Sequence, residues 1–259
     1  MHPKRFLICA CLLAALGLPV RGQSRSAGAE KSQAQGAASA TPSADQILDR
    51  YAEASGGRAA WQKLTSRVSM GTIEIPAMNL SGTVVIHEKA PDKILTIVIL
   101  GGFVFRQGFD GTVGWTDDVK DGLREQTGAE LADTKRESDF YGPLDIREQY
   151  AKFTVLGSEK TGGRDSYAVQ ASPAEGEDAD ILYFDAQTGL PLRVISQHHT
   201  PQGASKFEED LSDYREVDGV KLPFTISQKS AETSFTVHIS EMHHNIALED
   251  SEFAQPAVQ

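Results

Sequence analysis

Two adjacent histidine pairs, His198-His199 and His243-His244, are the most conspicuous titratable groups in this chain. Four imidazoles brought together would suit zinc or copper. Neighbouring residues on a strand point to opposite faces, so each pair offers one ligand to a given site. No His-x-His or His-Glu-x-x-His spacing supports them, and both pairs fall near strand ends, where solvated histidines are common; neither a metal site nor a cofactor is expected. The acidic run "FEEDLSD", 207–213, is the second candidate. Alternation there sets Glu208 and Asp210 on the face opposite Phe207, Glu209 and Leu211, the pattern of a solvated strand face. Asp185, in "YFDAQTGLPLRV", is the third. Gln187, Thr188 and Gly189 complete a hairpin loop after it, so its carboxylate is read as closing a turn. The chain has no Gly-x-Ser-x-Gly elbow and no glycine-rich phosphate loop ahead of a helix, and both cysteines, Cys9 and Cys11, lie in a leader. No enzymatic constellation is assembled, and the expectation is a protein that is not an enzyme.

That leader is "MHPKRFLICACLLAALGLPVRG", with Lys4 and Arg5 ahead of an apolar run from Phe6 to Val20. Residues 1–22 read as a secretory signal peptide cut near Gln23. The run is too short and too broken by Gly17 and Pro19 for a bilayer span, so the mature chain is expected to be exported and soluble in the periplasm, without stable membrane insertion. Neither cysteine has the full pattern of a lipid-attached cysteine, and the mature chain carries no disulfide. Such a chain holds itself together by burial alone, which favours a sheet-rich domain of ordinary size; its 40% hydrophobic content is enough for a core. Losing Lys4, Arg5 and Arg21 with the leader takes the net charge from -11 to -14. That balance argues against nucleic acid and anionic headgroups but leaves apolar chains open as partners.

The elements that must position any site begin after a linker, 23–43, rich in Ala, Ser, Gln and Gly. In "SADQILDRYAEASGG", Ser43 and Gln46 are spaced as a capping box, and Ile47, Leu48 and Tyr51 share a helical face. "RAAWQKL" adds a short second helix carrying Trp61 and Leu64. Short segments rich in branched and aromatic residues follow, with turns every eight to twelve residues, and predict an antiparallel meander of about eleven or twelve strands. It is interrupted once, over 127–150, where Thr127 and Glu130 suggest a second capping box and Pro143 starts another turn of helix. The thin apolar content of this insertion, at Leu131, Phe140, Tyr141 and Leu144, suits a segment lying over a sheet face or an opening. "FDAQTGLPLRV" and "YREVDGVKLPFTI" repeat one hairpin design, with Gly189 or Gly219 supplying a positive φ and Pro191 or Pro223 near a strand start.

The helical hairpin ahead of the meander, "FDGTVGW" at 109–115, the interrupting helices, "YFDAQTGLPLRV", "DYREVDGVKLPF" and the ending "HNIALEDSEFAQP" occur in an order that resembles bacterial outer-membrane lipoprotein-sorting proteins of the LolA/LolB-like group. The resemblance covers roughly residues 44–256, within a folded domain taken as 44–259. It implies an α+β, mainly β fold: a strongly curved, incomplete antiparallel barrel whose open side is covered by helices. It also implies an apolar cavity for acyl chains of a lipid or lipoprotein, with envelope proteins as further partners and a role in outer-membrane lipoprotein sorting. An unclosed barrel with an apolar inner face must fill that face with its own helices or with a ligand. "KILTIVILGGFVF" is apolar on both strand faces, and the expected lining is Trp61, Leu100, Phe103, Phe105, Trp115, Phe140 and Tyr141. The basic residue that ties the covering helix in the carrier has a candidate match in Arg106. A scaffold of the same fold without cargo is the alternative function.

Overall fold

The computed structural model describes residues 41–173, 179–200, 203–231 and 233–257. The expected leader, 1–22, and all but the last three residues of the expected linker, 23–43, lie outside the described residues. Helix α1 (Ala44–Ala54) starts at the capping box: Ser43 Oγ accepts from Gln46 N at 3.2 Å, and Gln46 Oε1 accepts from Ser43 N at 2.9 Å. Its apolar stripe buries Ile47, Leu48 and Tyr51, each contributing about 1.5–3 kcal/mol to docking it on the sheet. Helix α2 (Gly57–Trp61) follows directly and ends on the buried Trp61.

The strands are β1 (Ser66–Ile75), β2 (Leu80–Lys89), β3 (Lys93–Leu100), β4 (Phe103–Phe109), β5 (Gly114–Asp118) and β6 (Gly122–Glu125), then β7 (Lys152–Thr161), β8 (Arg164–Ser172), β9 (Asp180–Asp185), β10 (Pro191–Thr200), β11 (Gly203–Val217), β12 (Val220–Lys229) and β13 (Ser234–His244). Between the two groups lie α3 (Gly128–Glu137) and α4 (Gly142–Gln149). All thirteen strands form one antiparallel sheet in the order β6-β5-β4-β3-β2-β1-β13-β12-β11-β10-β9-β8-β7. The additional strand relative to the expected eleven or twelve is β6, four residues long and without an apolar run, which forms an edge by pairing only with β5.

This topology dictates where α3 and α4 go. β6 and β7 are the two free edges, so the segment joining them must travel from one side of the open sheet to the other and lies over its inner face. Strand irregularities at Met70/Gly71, Val155/Gly157 and Pro191/Arg193 add local twist and curvature. Alternate residues of the strands face inward, as Phe224 and Ile226 do on β12 and Phe235, Val237 and Ile239 on β13, where they join Ile47, Leu48 and Tyr51 of α1 in the main core. On the opposite face a smaller cluster of Leu95, Trp115, Leu248 and Phe253 is covered by the C-terminal segment, which Asp250 ties to Lys89 and Lys93 at 2.7 and 2.9 Å.

The repeated hairpins form as expected. Gly189 and Gly219 have φ of 81° and 85°, and Pro191 opens β10. Asp185 closes its turn by accepting from Gln187 N at 2.9 Å and Thr188 N at 2.6 Å, while Arg164 pairs with its other oxygen at 2.7 Å. Those bonds outweigh burial and hold the carboxyl below the usual range. The second capping box is not formed: Thr127 makes no side-chain cap, and the Glu130 carboxylate pairs with Arg124 at 2.7 and 2.8 Å. No described helix is long and apolar enough to cross a membrane.

Candidate functional site

The inner face and its covering helices enclose a cavity of about 60 Å³, room for a few water molecules. Its apolar walls come from the helices, the turn between α3 and α4, and strands β9, β10 and β11. Tyr51 of α1 lies 5.4 Å, ring centre to ring centre, from Phe184 of β9. Trp61 meets the edge of Phe140 at 6.4 Å and donates its indole N–H to Ser55 Oγ at 3.3 Å. Pro143 and Ile146 of α4, Leu182 of β9, Val194 of β10 and Leu211 of β11 complete the wall. These four aromatic rings, with Tyr214 of β11, line the space between sheet and helices.

α4 docks by burying Pro143 and Ile146, and its end is fixed where Tyr150 donates its hydroxyl to Asp180 at 2.6 Å. α3 is different, because its buried residues are Glu130, Asp133, Thr134 and Arg136. Thr134 Oγ1 accepts from Gln107 at 3.2 Å, and Asp133 accepts from His199 N at 2.6 Å and Nδ1 at 3.0 Å while pairing with Arg136. Glu137 approaches His198 at 3.3 Å. A helix held this way is attached by directional polar contacts, which water can replace when it lifts; a helix held by apolar area has no such substitute.

Among the polar residues lining the cavity stands Glu209, 2% exposed, with Oε2 unpartnered. Burial pushes its carboxyl well above the usual range, and the nearby Glu137 and Asp210 add to the effect. On the adjoining β12, Gln228 stands opposite Glu209 in the ladder, 1% exposed, with Oε1 and Nε2 both unpartnered. Also lining the cavity, Arg67 and Glu88, paired across β1 and β2, form a bidentate ion pair whose Nε–Oε2 distance is 2.6 Å. The Arg67 guanidinium lies 5.5 Å from the Phe140 ring centre, so it braces the junction of α3 and α4.

The expected lining residues divide. Trp61 and Phe140 face the cavity, and Tyr141 packs beside them with its hydroxyl on Leu64 O at 2.9 Å. Leu100 and Phe105 lie in the main core. Phe103 is 54% exposed at the β3–β4 hairpin, and Trp115 is on the outer face, donating to Phe253 O at 2.9 Å. Arg106 pairs with its cross-strand neighbour Asp117 at 2.8 Å, whereas basic groups that meet the covering segment are Arg67, against Phe140, and Arg124, on Glu130. Arg67 and Glu88 come together through the β1–β2 register, which no local motif reveals, whereas Glu209 was accessible from the alternation in "FEEDLSD".

The titratable candidates also need correction. The acidic run is solvated at Glu208 and Asp210, which pair with Arg193 at 3.0 and 2.6 Å, but Glu209 is buried because its face meets the helices. His198 and His244 are buried rather than solvated: α3 lies over the first, and Asp218 of the β11–β12 turn lies 3.0 Å from the second. Burial lowers the His244 pKa, opposed by Asp218. Among the described residues no group of three or more His, Cys, Asp or Glu side chains is arranged to hold a metal ion.

No protein-family model and no curated protein matches the chain. Solved structures do match its fold. A domain described as an outer membrane lipoprotein-sorting protein, from Vibrio parahaemolyticus, aligns at 18% identity and TM-score 0.50 over 80% of this chain and 94% of its own. A LolA superfamily protein from Nitrosomonas europaea aligns at 13% identity and TM-score 0.52, over 83% and 98%. A DUF1329 family protein from Desulfovibrio piger aligns at 14% identity and TM-score 0.54, over 81% and 96%. The chain has a LolA-like fold, an open curved antiparallel sheet with helices over one face.

Proposed function

We propose that this chain is an exported periplasmic binding protein, without enzymatic activity, that holds the acyl chain of a lipid or lipoprotein between the inner sheet face and the α3–α4 segment. Outer-membrane lipoprotein sorting is the process it would serve. The observation that carries the reading is an aromatic-walled cavity beneath a helix, α3, whose attachment to the sheet is polar. The similarity in fold to proteins named for lipoprotein sorting supports it. Trp61 and Phe140 are the proposed contacts from the expected set, joined by Tyr51, Phe184, Val194 and Leu211.

A cavity of about 60 Å³ is well below the roughly 300–1,000 Å³ of ordinary ligand sites, so binding requires the covering segment to move. About ten buried methylenes contribute about 8 kcal/mol at ~0.8 kcal/mol each, which offsets uncovering about three apolar side chains at roughly 2.5 kcal/mol each. The scaffold reading is favoured by the same fullness, since Tyr51, Trp61, Phe140 and Phe184 already occupy the inner face. Mass spectrometry of solvent extracts from protein purified out of its native envelope separates the two. The carrier reading expects acyl lipid or lipoprotein in near-stoichiometric amount. Material that is empty in repeated preparations, and that takes up no added lipid, contradicts it.

A further inference from the structure

The buried cations along the cavity already have carboxylates, while the buried carboxylate of Glu209 has no cation. Arg67 pairs with Glu88, and Arg136 with Asp133. Glu209 is 2% exposed, its Oε2 has no hydrogen-bond partner, and no basic side chain among the described residues pairs with it. It belongs to the inner face, since Phe207 and Leu211, two residues away on either side, are buried, and its ladder partner on β10, Val194, lines the cavity with it. Its other neighbours are aromatic. Tyr214, farther along β11, is close enough to both Glu209 and Tyr51 for each to raise its hydroxyl pKa, and Tyr51 in turn lies against Phe184.

We infer that Glu209 is the counter-ion for an ammonium group on the cargo, held between this carboxylate and the aromatic wall while the hydrocarbon lies along Leu182, Val194 and Leu211. This rests on the acyl-chain reading above and specifies the head of its ligand. A carboxylate taken out of water is costly until a counter-ion joins it, and an organic cation is the partner that also gains from aromatic ring faces. A carboxylate or phosphate head fits poorly: Arg67 and Arg136 are engaged, Lys221 is exposed, and Glu137 and Asp139 add negative charge to the same lining.

The test compares decylamine with 1-decanol, which share a chain and differ in the charge of the head, by titration calorimetry near neutral pH and again at about pH 5. Wild-type protein is expected to bind the amine about tenfold more tightly near neutral pH. That ratio falls on acidification, because the Glu209 carboxyl, raised by burial in the free protein, takes up a proton while the amine keeps its own. Glu137, with His198 against it, also titrates in this range, so Glu209→Gln is the control. In that variant the ratio is near one at both pH values while decanol binding is kept, which also shows that it is folded. Equal affinities in the wild type, or a preference that ignores pH or survives in Glu209→Gln, overturn the ammonium subsite and leave the acyl-chain reading standing on decanol binding. Failure of the wild type to bind either compound overturns both.

Discussion

Trp61→Ala is expected to lower the unfolding free energy by about 3–5 kcal/mol, seen as a fall in the urea midpoint with little change in slope. Trp61 is 1% exposed and sits where three elements meet: the end of α2, the β12 residues Val220 and Leu222, and Phe140 between α3 and α4. Its loss removes apolar burial and also the edge contact with Phe140, itself worth about 0.5–1.5 kcal/mol. Collapse into the space is limited, because Phe140 is held by its own backbone bond to Pro91 O at 3.0 Å and by Arg67 on its other side. Ser55 keeps its bond to Ala52 O and is not stranded. Trp61→Phe fills most of the volume and should cost about half as much. A change below about 1 kcal/mol for the alanine variant would mean that the α2–α3 junction is not packed as described.

Arg67→Ala should cost about 3–5 kcal/mol in the same assay, for a different reason. Arg67 and Glu88 have side chains 7% and 13% exposed, and the pair has already lost most of its hydration. Removing the guanidinium leaves Glu88 with a buried charge and no counter-ion, and it also removes the cation against Phe140. The double variant Arg67→Met/Glu88→Leu removes both charges while keeping apolar volume, and its stability should fall within about 1 kcal/mol of the wild type or rise above it. If the double variant were as unstable as the single, the pair would be supplying net attraction rather than avoiding an unpaired charge.

Those two residues show how unevenly the sequence exposes a structure. Ser43 and Gln46 predicted the start of α1 because a capping box is local, and the Gly189 and Gly219 hairpins were readable because a positive φ is a property of single residues. β6 escaped notice since a four-residue edge strand needs no apolar periodicity. The covering position of α3 was implied by its place in the meander, but its polar underside was not. A helix that buries Glu130, Asp133 and Arg136 has no amphipathic signature, and of its partners only Arg124 is close in sequence, while Gln107 and His199 come from β4 and β10. Trp115 and Phe103 were placed with the lining by residue type alone. Type does not tell inner from outer face when a strand is apolar on both sides, and here the C-terminal segment supplies a second cover that claims Trp115.

The chain's two tryptophans also provide the most direct test of an acyl chain held on the inner face, because one lines the cavity and the other lies on the outer face. Quenching of tryptophan emission by a monoacylglycerol brominated at mid-chain would be measured in Trp115→Phe, which retains Trp61, and in Trp61→Phe, which retains Trp115. The account predicts saturable quenching in the first variant and none in the second. Bright, unquenched Trp61 at saturating lipid, or equal quenching of both residues, would contradict it.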